Sequence, residues 1–546
     1  MKKTIIYIGL AVSVSLFAAC SDLLDTNPKD FLSIESYYKT EDDVINSLGA
    51  IYSVLGSQNT YGRYLVIDGA MDDLCYWNQS EADIINRLCS WNYTPAQPHL
   101  ANLWNSLYEG IERSNVLLEN IGKVDGLEET ARNKYIGETR FLRAYYHYLL
   151  ADNWGAVPLK MVSSKKVSEV NIAPTSQKEI FQTVVEEIED ILEKDMLNPA
   201  DSYNHVSRVS TTVAQGILAR IYLKMAGYPL YMGEDMYEKA LYWAQQVELS
   251  HLHMLNRDYD QIFINHSQDI QDVQYRESMW EANFVGNSTT DPGKSDKYSW
   301  IGVTNGIICY SDKDDLGYSY GYIRTRLKLW DLFDDTDKRK MRSIAPYKFN
   351  TTDVNKYDEK TTSFTSIAER CAAKWRREEE SVKPKTKNYS TTNFPILRYS
   401  DVLLMIAEAE NELHGATDVA LAALNQVRER AGVKCYTTGT TDDTKITVTG
   451  ADELRQIIRD ERARELCFEG IRKHDLIRWG IYVQEMQKAA AEPYETGNVG
   501  NGRTSDANQR TKMAAIASKM TEKYLLFPIP QSELNLNNKM KQNKYW

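Results

Sequence analysis

Two stretches of the sequence combine aromatic rings with carboxylates and amides but show no helical periodicity. They are residues 58–97 and residues 251–395. The residues concerned are Asp72, Asp73, Tyr76, Trp77 and Asn78 in the first stretch and Tyr298, Trp300, Tyr318 and Tyr320 in the second. Flat rings with polar edges can stack on the C–H faces of a sugar, and carboxylates and amides can hydrogen-bond its hydroxyls. We predict that these nine residues form a carbohydrate-binding site where two loops meet.

Patterns typical of other chemistry are weak. Residues 317–321, GYSYG, match the spacing of a nucleophile elbow, but the preceding SDKDD cannot form the buried strand that this motif requires. Six cysteines follow Cys20 without a C-x-x-C pair, so neither a structural metal nor a cofactor is predicted. Whether Cys75 and Cys89 form a disulfide is left open by the sequence. The net charge of -12 argues against nucleic-acid binding.

The N-terminal residues have the pattern of a lipoprotein signal peptide. Lys2 and Lys3 precede an apolar run at 5–19 that is too short to span a membrane, and Leu-Phe-Ala-Ala leads into Cys20. This pattern predicts a signal peptide at 1–19 and lipidation of Cys20. Because no later apolar run is long enough to cross a bilayer, we expect the protein to be anchored to a membrane.

Most of the remaining sequence carries apolar residues at three- and four-residue steps, which predicts amphipathic helices. These helices are predicted at 34–55, 100–121, 138–150, 175–192, 213–225, 237–247, 401–413 and 419–431. Two helices of about a dozen residues with small residues at the crossing are typical of tetratricopeptide-like repeats, and simple helical hairpins are the alternative. Residues 251–395 are predicted to be loops and short strands, with some helix at 330–333.

Several motifs occur in a characteristic order. They are a glutamate followed by RFLRAYYHYLL and WGAVPL (138–159), NFPILRYSD (393–401), the Glu- and Arg-rich 454–480 and PIPQSELNLNNKMKQNKYW (528–546). Together they resemble the SusD/RagB family of bacterial outer-membrane glycan-binding lipoproteins. The resemblance fades at 58–97 and 255–390, where such proteins hold their ligand-specific loops.

This resemblance implies a mainly α, SusD-like fold with a scaffold of tetratricopeptide-like helix pairs and an irregular, loop-rich ligand-binding half. The parts would be 20–250 and 396–546, both helical, and 251–395. It also implies a surface-exposed outer-membrane protein without catalytic activity. Such a protein captures glycan and delivers it to a SusC-type TonB-dependent transporter. The acids and arginines of 454–480 are predicted to be structural, forming ion pairs three or four residues apart on a helix.

Two other functions remain open at this point. A peptide- or protein-binding relative of the family would show an apolar groove with an open sheet edge, whereas a sugar site would show an aromatic platform. A glycoside hydrolase would show two carboxyls facing each other across a cleft.

Overall fold

Helices form most of the regular structure in the computed structural model. The structure describes residues 37–79, 83–166, 169, 171–285, 297–364, 366–439, 444–490, 516 and 518–546. Within them the helices are α1 Glu41–Tyr52, α2 Tyr64–Ile67, α3 Ile84–Cys89, α4 Pro98–Asn120, α5 Glu129–Trp154, α6 Gln177–Glu193, α7 Thr211–Ala226, α8 Glu234–Leu249, α9 Tyr259–Gln268, α10 Leu327–Leu332, α11 Lys340–Ser343, α12 Tyr399–His414, α13 Asp418–Ala431, α14 Ala451–Leu466, α15 Arg472–Arg478, α16 Tyr482–Ala490 and α17 Gln531–Leu536. The predicted mainly α fold class is confirmed.

The strands are short and, within the described residues, form only two-stranded sheets. They are β1 Cys75–Trp77, β2 Val157–Pro158, β3 Pro174–Thr175, β4 Ser278–Ala282, β5 Ile323–Thr325, β6 Lys348–Phe349, β7 Lys360–Thr361, β8 Phe394–Arg398, β9 Tyr436–Thr437 and β10 Ile446–Thr447. The longest pair, β4 with β8, is antiparallel and leads directly into α12. The β1–β5 pair, also antiparallel, links two parts of the chain that are far apart in sequence.

Neighbouring helices along the chain pack against each other. Contacts join α4 to α5, α5 to α6, α6 to α7, α7 to α8 and α12 to α13, and α8 also packs on α12. Where α4 crosses α5, a Cβ on Gly110 would stand 2.5 Å from the ring of Tyr146, so only glycine permits this close approach. The contact of α8 with α12 joins the N-terminal and C-terminal helices into one scaffold.

The predicted helices are confirmed, and most boundaries differ by a few residues. The exception is α5, which begins at Glu129, nine residues before the predicted start at 138. The helix predicted at 34–55 is described from Glu41, after a capping box formed by Thr40 and Asp43. Two expectations need correction. The irregular 251–395 region contains α9, a ten-residue helix that was not predicted. Residues 454–480 form two helices because the chain turns at Phe468 and Gly470, both at positive φ.

The charged residues of 454–480 are structural, but their partners are not mainly neighbours on the same helix. Glu465 is fully buried and accepts from Arg398 at 3.0 Å, from Arg430 at 2.6 Å and from Arg339 at 3.0 Å. These arginines come from β8, from α13 and from the segment before α11. Glu277, at the start of β4, shares Arg398 and Arg430 with Glu465. The buried charges therefore tie α14 to three other parts of the chain.

Candidate functional site

The two predicted loops meet through the β1–β5 ribbon. Tyr76 faces Arg324 and Trp77 faces Ile323 in the antiparallel register. One residue further, the Asn78 amide donates to the carbonyl oxygen of Tyr322 at 2.8 Å. The residues around 76–78 and 318–322 therefore lie side by side in the structure.

Four tyrosines beside this ribbon form a row of partly exposed rings, which we call the tyrosine ladder: Tyr310, Tyr318, Tyr320 and Tyr322. Tyr310 stacks on Tyr318 with ring centroids 5.4 Å apart, and Tyr318 meets Tyr320 edge-on at 5.0 Å. Tyr320 stacks on Tyr322 at 4.8 Å. A continuous aromatic surface of this kind suits the flat faces of a chain of sugars better than a single small ligand.

Backbone geometry explains why the rings point the same way. Ser319 forms an antiparallel bridge with Cys309, and in this extended stretch the neighbouring Tyr318 and Tyr320 lie on one side while Ser319 is buried. The Tyr320 and Tyr322 amides donate to the carbonyls of the neighbouring 303–304 segment at 2.8 Å. Gly321 has a φ of 55°, and a Cβ there would stand 2.8 Å from the Cys371 sulfur.

The phenols of Tyr318, Tyr320 and Tyr322 stay protonated at neutral pH. Burial, and then the neighbouring Tyr320 and Tyr310, raises the pKa of Tyr318 to about 12. Burial also raises the pKa of Tyr320 and of Tyr322. Each hydroxyl can therefore both donate and accept a hydrogen bond, as sugar hydroxyls require. Tyr320 already donates to Asn388 Oδ1 at 2.9 Å.

Trp300 lies near the ladder and is partly exposed. Its amide donates to the Gly62 carbonyl at 2.7 Å, which fixes it against the first loop. The guanidinium carbon of Arg63 stands 4.1 Å from the centroid of the Trp300 ring. Tyr298, two residues earlier, is only 6% exposed, and its hydroxyl donates to Gln58 at 2.9 Å. Trp300 is therefore available to a ligand, whereas Tyr298 holds the loop.

The prediction that all nine residues contact ligand needs correction at the first loop. Tyr76 and Trp77 are 2% and 5% exposed. Tyr76 donates to the Ala368 carbonyl at 2.8 Å, and the Trp77 indole donates to Asn86 at 2.9 Å. The Trp77 ring instead lies 5.0 Å from that of Tyr322, on the inner side of the ladder. These two aromatic residues support the surface. Of the five residues predicted in the first loop, only Asn78 is partly exposed.

Asp72 and Asp73 are also interior residues. Asp73 is fully buried and pairs with Arg472 at 2.9 Å and Lys328 at 2.5 Å, which outweigh burial and hold the pKa of its carboxyl below its usual range. Burial, followed by the charge of Asp73, raises the pKa of Asp72 to about 7. Neither carboxyl faces the ladder as a free acceptor. Cys75 and Cys89 are both buried free thiols, so the disulfide left open by the sequence is not formed.

The predicted site leaves out four residues at the ladder: Tyr310, Tyr322, Arg63 and Lys387. Tyr310 and Tyr322 lie in the same tyrosine-rich stretch as Tyr318 and Tyr320, and Tyr322 continues their alternate spacing. Arg63 and Lys387 are distant from that stretch in the sequence, and no local pattern links them to the ladder. Among the described residues no cluster of His, Cys, Asp and Glu is placed to hold a metal ion.

Comparison with known proteins decides the family. The model described as "SusD family" matches residues 276–546, and a model described as "Starch-binding associating with outer membrane" matches residues 27–223. The chain belongs to the SusD/RagB family. The starch-binding protein SusD of Bacteroides thetaiotaomicron is 24% identical over 512 residues, which cover 86% of this chain and 83% of that protein.

Solved structures agree with this membership in the SusD/RagB family. A SusD homolog from Bacteroides thetaiotaomicron superposes with a TM-score of 0.80 at 26% identity, covering 94% of this chain and 98% of that one. Surface glycan-binding protein A from the same organism, solved in complex with laminarihexaose, has a TM-score of 0.68 at 20% identity and covers 93% and 100%. The SusD-like fold is therefore shared along nearly the whole chain.

No helix in the described part of the chain is long and apolar enough to cross a membrane. Cys20 and the predicted signal peptide lie outside the described residues.

Proposed function

We propose that this SusD-family protein is a surface glycan-binding lipoprotein. The observation that carries the proposal is the tyrosine ladder, a row of partly exposed rings flanked by Trp300 and Asn78. Members of the family are carbohydrate-binding proteins rather than enzymes, and a relative of the same fold was solved with laminarihexaose. The aromatic platform is the feature that favours sugar over a peptide, for which an apolar groove would be expected.

The mechanism is capture by many weak contacts. Rings of the ladder stack on pyranose faces, while phenol and amide groups exchange hydrogen bonds with the sugar hydroxyls. Each hydrogen bond replaces one made to water, so its net contribution is small, and we expect micromolar or weaker affinity. The glycan is then passed to a SusC-type TonB-dependent transporter, with the protein held at the outer membrane by the lipid on Cys20.

The anchor has a direct test. Because Cys20 would carry the lipid, Cys20→Ala is expected to yield a folded protein that no longer takes up labelled fatty acid or sediments with the outer membrane. The wild-type protein serves as the control in the same cells. Unchanged membrane fractionation of the variant would contradict the lipoprotein assignment.

Glycan binding without catalysis is tested by screening the chain from Ser21 onward on an array of polysaccharides. We expect retention on at least one glycan, and no release of reducing ends from it during prolonged incubation. A protein that binds no glycan on a broad array would defeat the proposed function. Steady release of reducing ends that follows the protein through purification would instead favour the alternative function, a glycoside hydrolase.

A further inference from the structure

Arg63 is half-buried and makes no ion pair with any described carboxylate. Its Nε is buried without a hydrogen-bond partner, but the Nε atoms of several other arginines are too, Arg430 among them. What distinguishes Arg63 is its charge, because Arg398 and Arg430 each contact two or more glutamates through their other nitrogen atoms. The charge of Arg63 thus has no counter-charge among the described residues.

The position of Arg63 relative to the ladder is fixed by the backbone. It immediately precedes α2, and the preceding Gly62 accepts the hydrogen bond from the Trp300 amide. Its guanidinium stacks on the Trp300 ring and lies close enough to Tyr320 and Tyr322 to oppose the rise that burial gives to their pKa values. The unpaired charge therefore stands beside one end of the ladder.

A second cation stands beside Tyr318, in the other half of the ladder. Lys387 Nζ lies 4.5 Å from the centroid of the Tyr318 ring and makes no ion pair within the described part of the protein. The next residue, Asn388, accepts the hydrogen bond from Tyr320, which holds the 387–388 segment against the ladder. Lysine over a ring face is attracted by the ring's electrons and leaves its N–H donors open.

Among the described residues, three carboxylates act on groups near these two cations: Asp312 on Tyr318, Asp83 on His99 and Asp68 on Cys89. Asp312 and Asp83 are exposed, so solvent and salt screen them, and Asp68 is paired with Lys473 at 2.7 Å. Burial, followed by the charge of Arg63, lowers the pKa of His99 to about 4, so this imidazole is neutral at neutral pH. A chain with a net charge of -12 thus presents, in its described part, two cations without an ion pair along its aromatic surface.

We propose that the glycan bound on the tyrosine ladder is acidic, and that Arg63 holds its carboxylate or sulfate group while Lys387 attracts a second one. This inference rests on the proposed glycan-binding function. A guanidinium offers a planar fork of donors that matches a carboxylate or a sulfate, and the charge of Arg63 gains a counter-charge when such a group binds. The stacked Trp300 keeps the fork oriented before binding, which reduces the entropy lost.

The test compares charged oligosaccharides with their neutralised forms by calorimetry on the chain from Ser21 onward. Oligogalacturonate is paired with its methyl ester, and carrageenan oligosaccharide with its desulfated form, so that the two arms distinguish carboxylate from sulfate. We expect at least one charged member to bind tenfold or more tightly than its neutral counterpart, with a preference that weakens as salt increases. Arg63→Gln should remove most of this preference, and Arg63→Lys should restore part of it.

Arg257→Gln, which changes an exposed arginine away from the ladder, is the matched control and should keep the preference. Equal binding of charged and neutral forms, or a preference that survives Arg63→Gln, would overturn the acidic-glycan inference. If only laminarihexaose or another neutral glycan binds, and Tyr320→Ala weakens it, the glycan-binding proposal stands and this inference falls. If none of these glycans binds, the acidic-glycan inference falls, and the broad array screen decides the glycan-binding proposal.

Discussion

Replacing Glu465 by glutamine is expected to lower the free energy of unfolding by about 3–5 kcal/mol, because removing one partner of a buried ion pair leaves the others uncompensated. Glu465 contacts Arg398, Arg430 and Arg339, and all four side chains are at most 4% exposed. The glutamine side chain keeps the shape of the glutamate but not its charge. Chemical denaturation of the chain from Ser21 onward at neutral pH measures the difference.

The matched control is Asp452→Asn on the same helix, where the carboxylate is 96% exposed and pairs with Arg455. A surface pair contributes about 0–1 kcal/mol, so this variant should be nearly as stable as the wild type. Similar losses in the two variants would show that the buried network does not stabilise the fold.

The stability lost in Glu465→Gln should depend on pH, and the direction of that dependence follows from the pKa of Glu465. Burial alone would raise the pKa of Glu465, but Arg430, Arg398 and Arg339 outweigh it and hold the pKa well below the usual range. A carboxyl with a depressed folded-state pKa stabilises the protein above its unfolded pKa of about 4.3, and this stability is lost as the pH falls toward the folded-state value. The stability difference between wild type and Glu465→Gln should therefore shrink from pH 7 to pH 3.

Helices were predictable from the sequence because their signal is local. A packed helix face repeats every three or four residues, and α1, α6 and α8 carry that repeat. The partners of charged residues were not predictable in the same way. Spacing in 454–480 suggested pairs along one helix, yet Glu465 finds its arginines on segments 35 to 126 residues away. Only the tertiary fold decides which of the possible partners a buried charge meets.

The candidate site was predictable only in outline. Irregular, ring-rich stretches indicated the two loops that the β1–β5 ribbon brings together. Which rings face solvent depends on side-chain direction in very short strands, and Tyr76 and Trp77 are both buried although they are consecutive. Buried and solvent-exposed aromatic residues cannot be told apart by residue type alone. Alternate spacing was the more informative signal, since it marks Tyr318, Tyr320 and Tyr322, whose rings are in contact in the structure.

Because some rings are exposed and others support them from inside, alanine variants of the site should differ in whether they lose glycan binding or stability. Trp300→Ala and Tyr320→Ala are each expected to weaken glycan binding by tenfold or more, and the double variant by a hundredfold or more. The reason is the loss of ring stacking, which contributes about 1–3 kcal/mol per ring by analogy with bases stacked on aromatic side chains. Both rings are partly exposed, so stability should change little. Affinity gel electrophoresis with the glycan selected by the array screen provides the measurement.

Two further variants decide whether the ladder itself is the binding surface. Tyr242→Ala removes a tyrosine that is 53% exposed on α8, outside the ladder, and should bind normally. Trp77→Ala removes a buried ring and its hydrogen bond to Asn86, so it should lower the free energy of unfolding by about 3–5 kcal/mol, because a large core side chain leaves a cavity. Its effect on binding would then follow from displacement of Tyr322. Normal glycan binding by folded Trp300→Ala and Tyr320→Ala would place the site elsewhere, and equal weakening by Tyr242→Ala would show that the loss is not specific to the ladder.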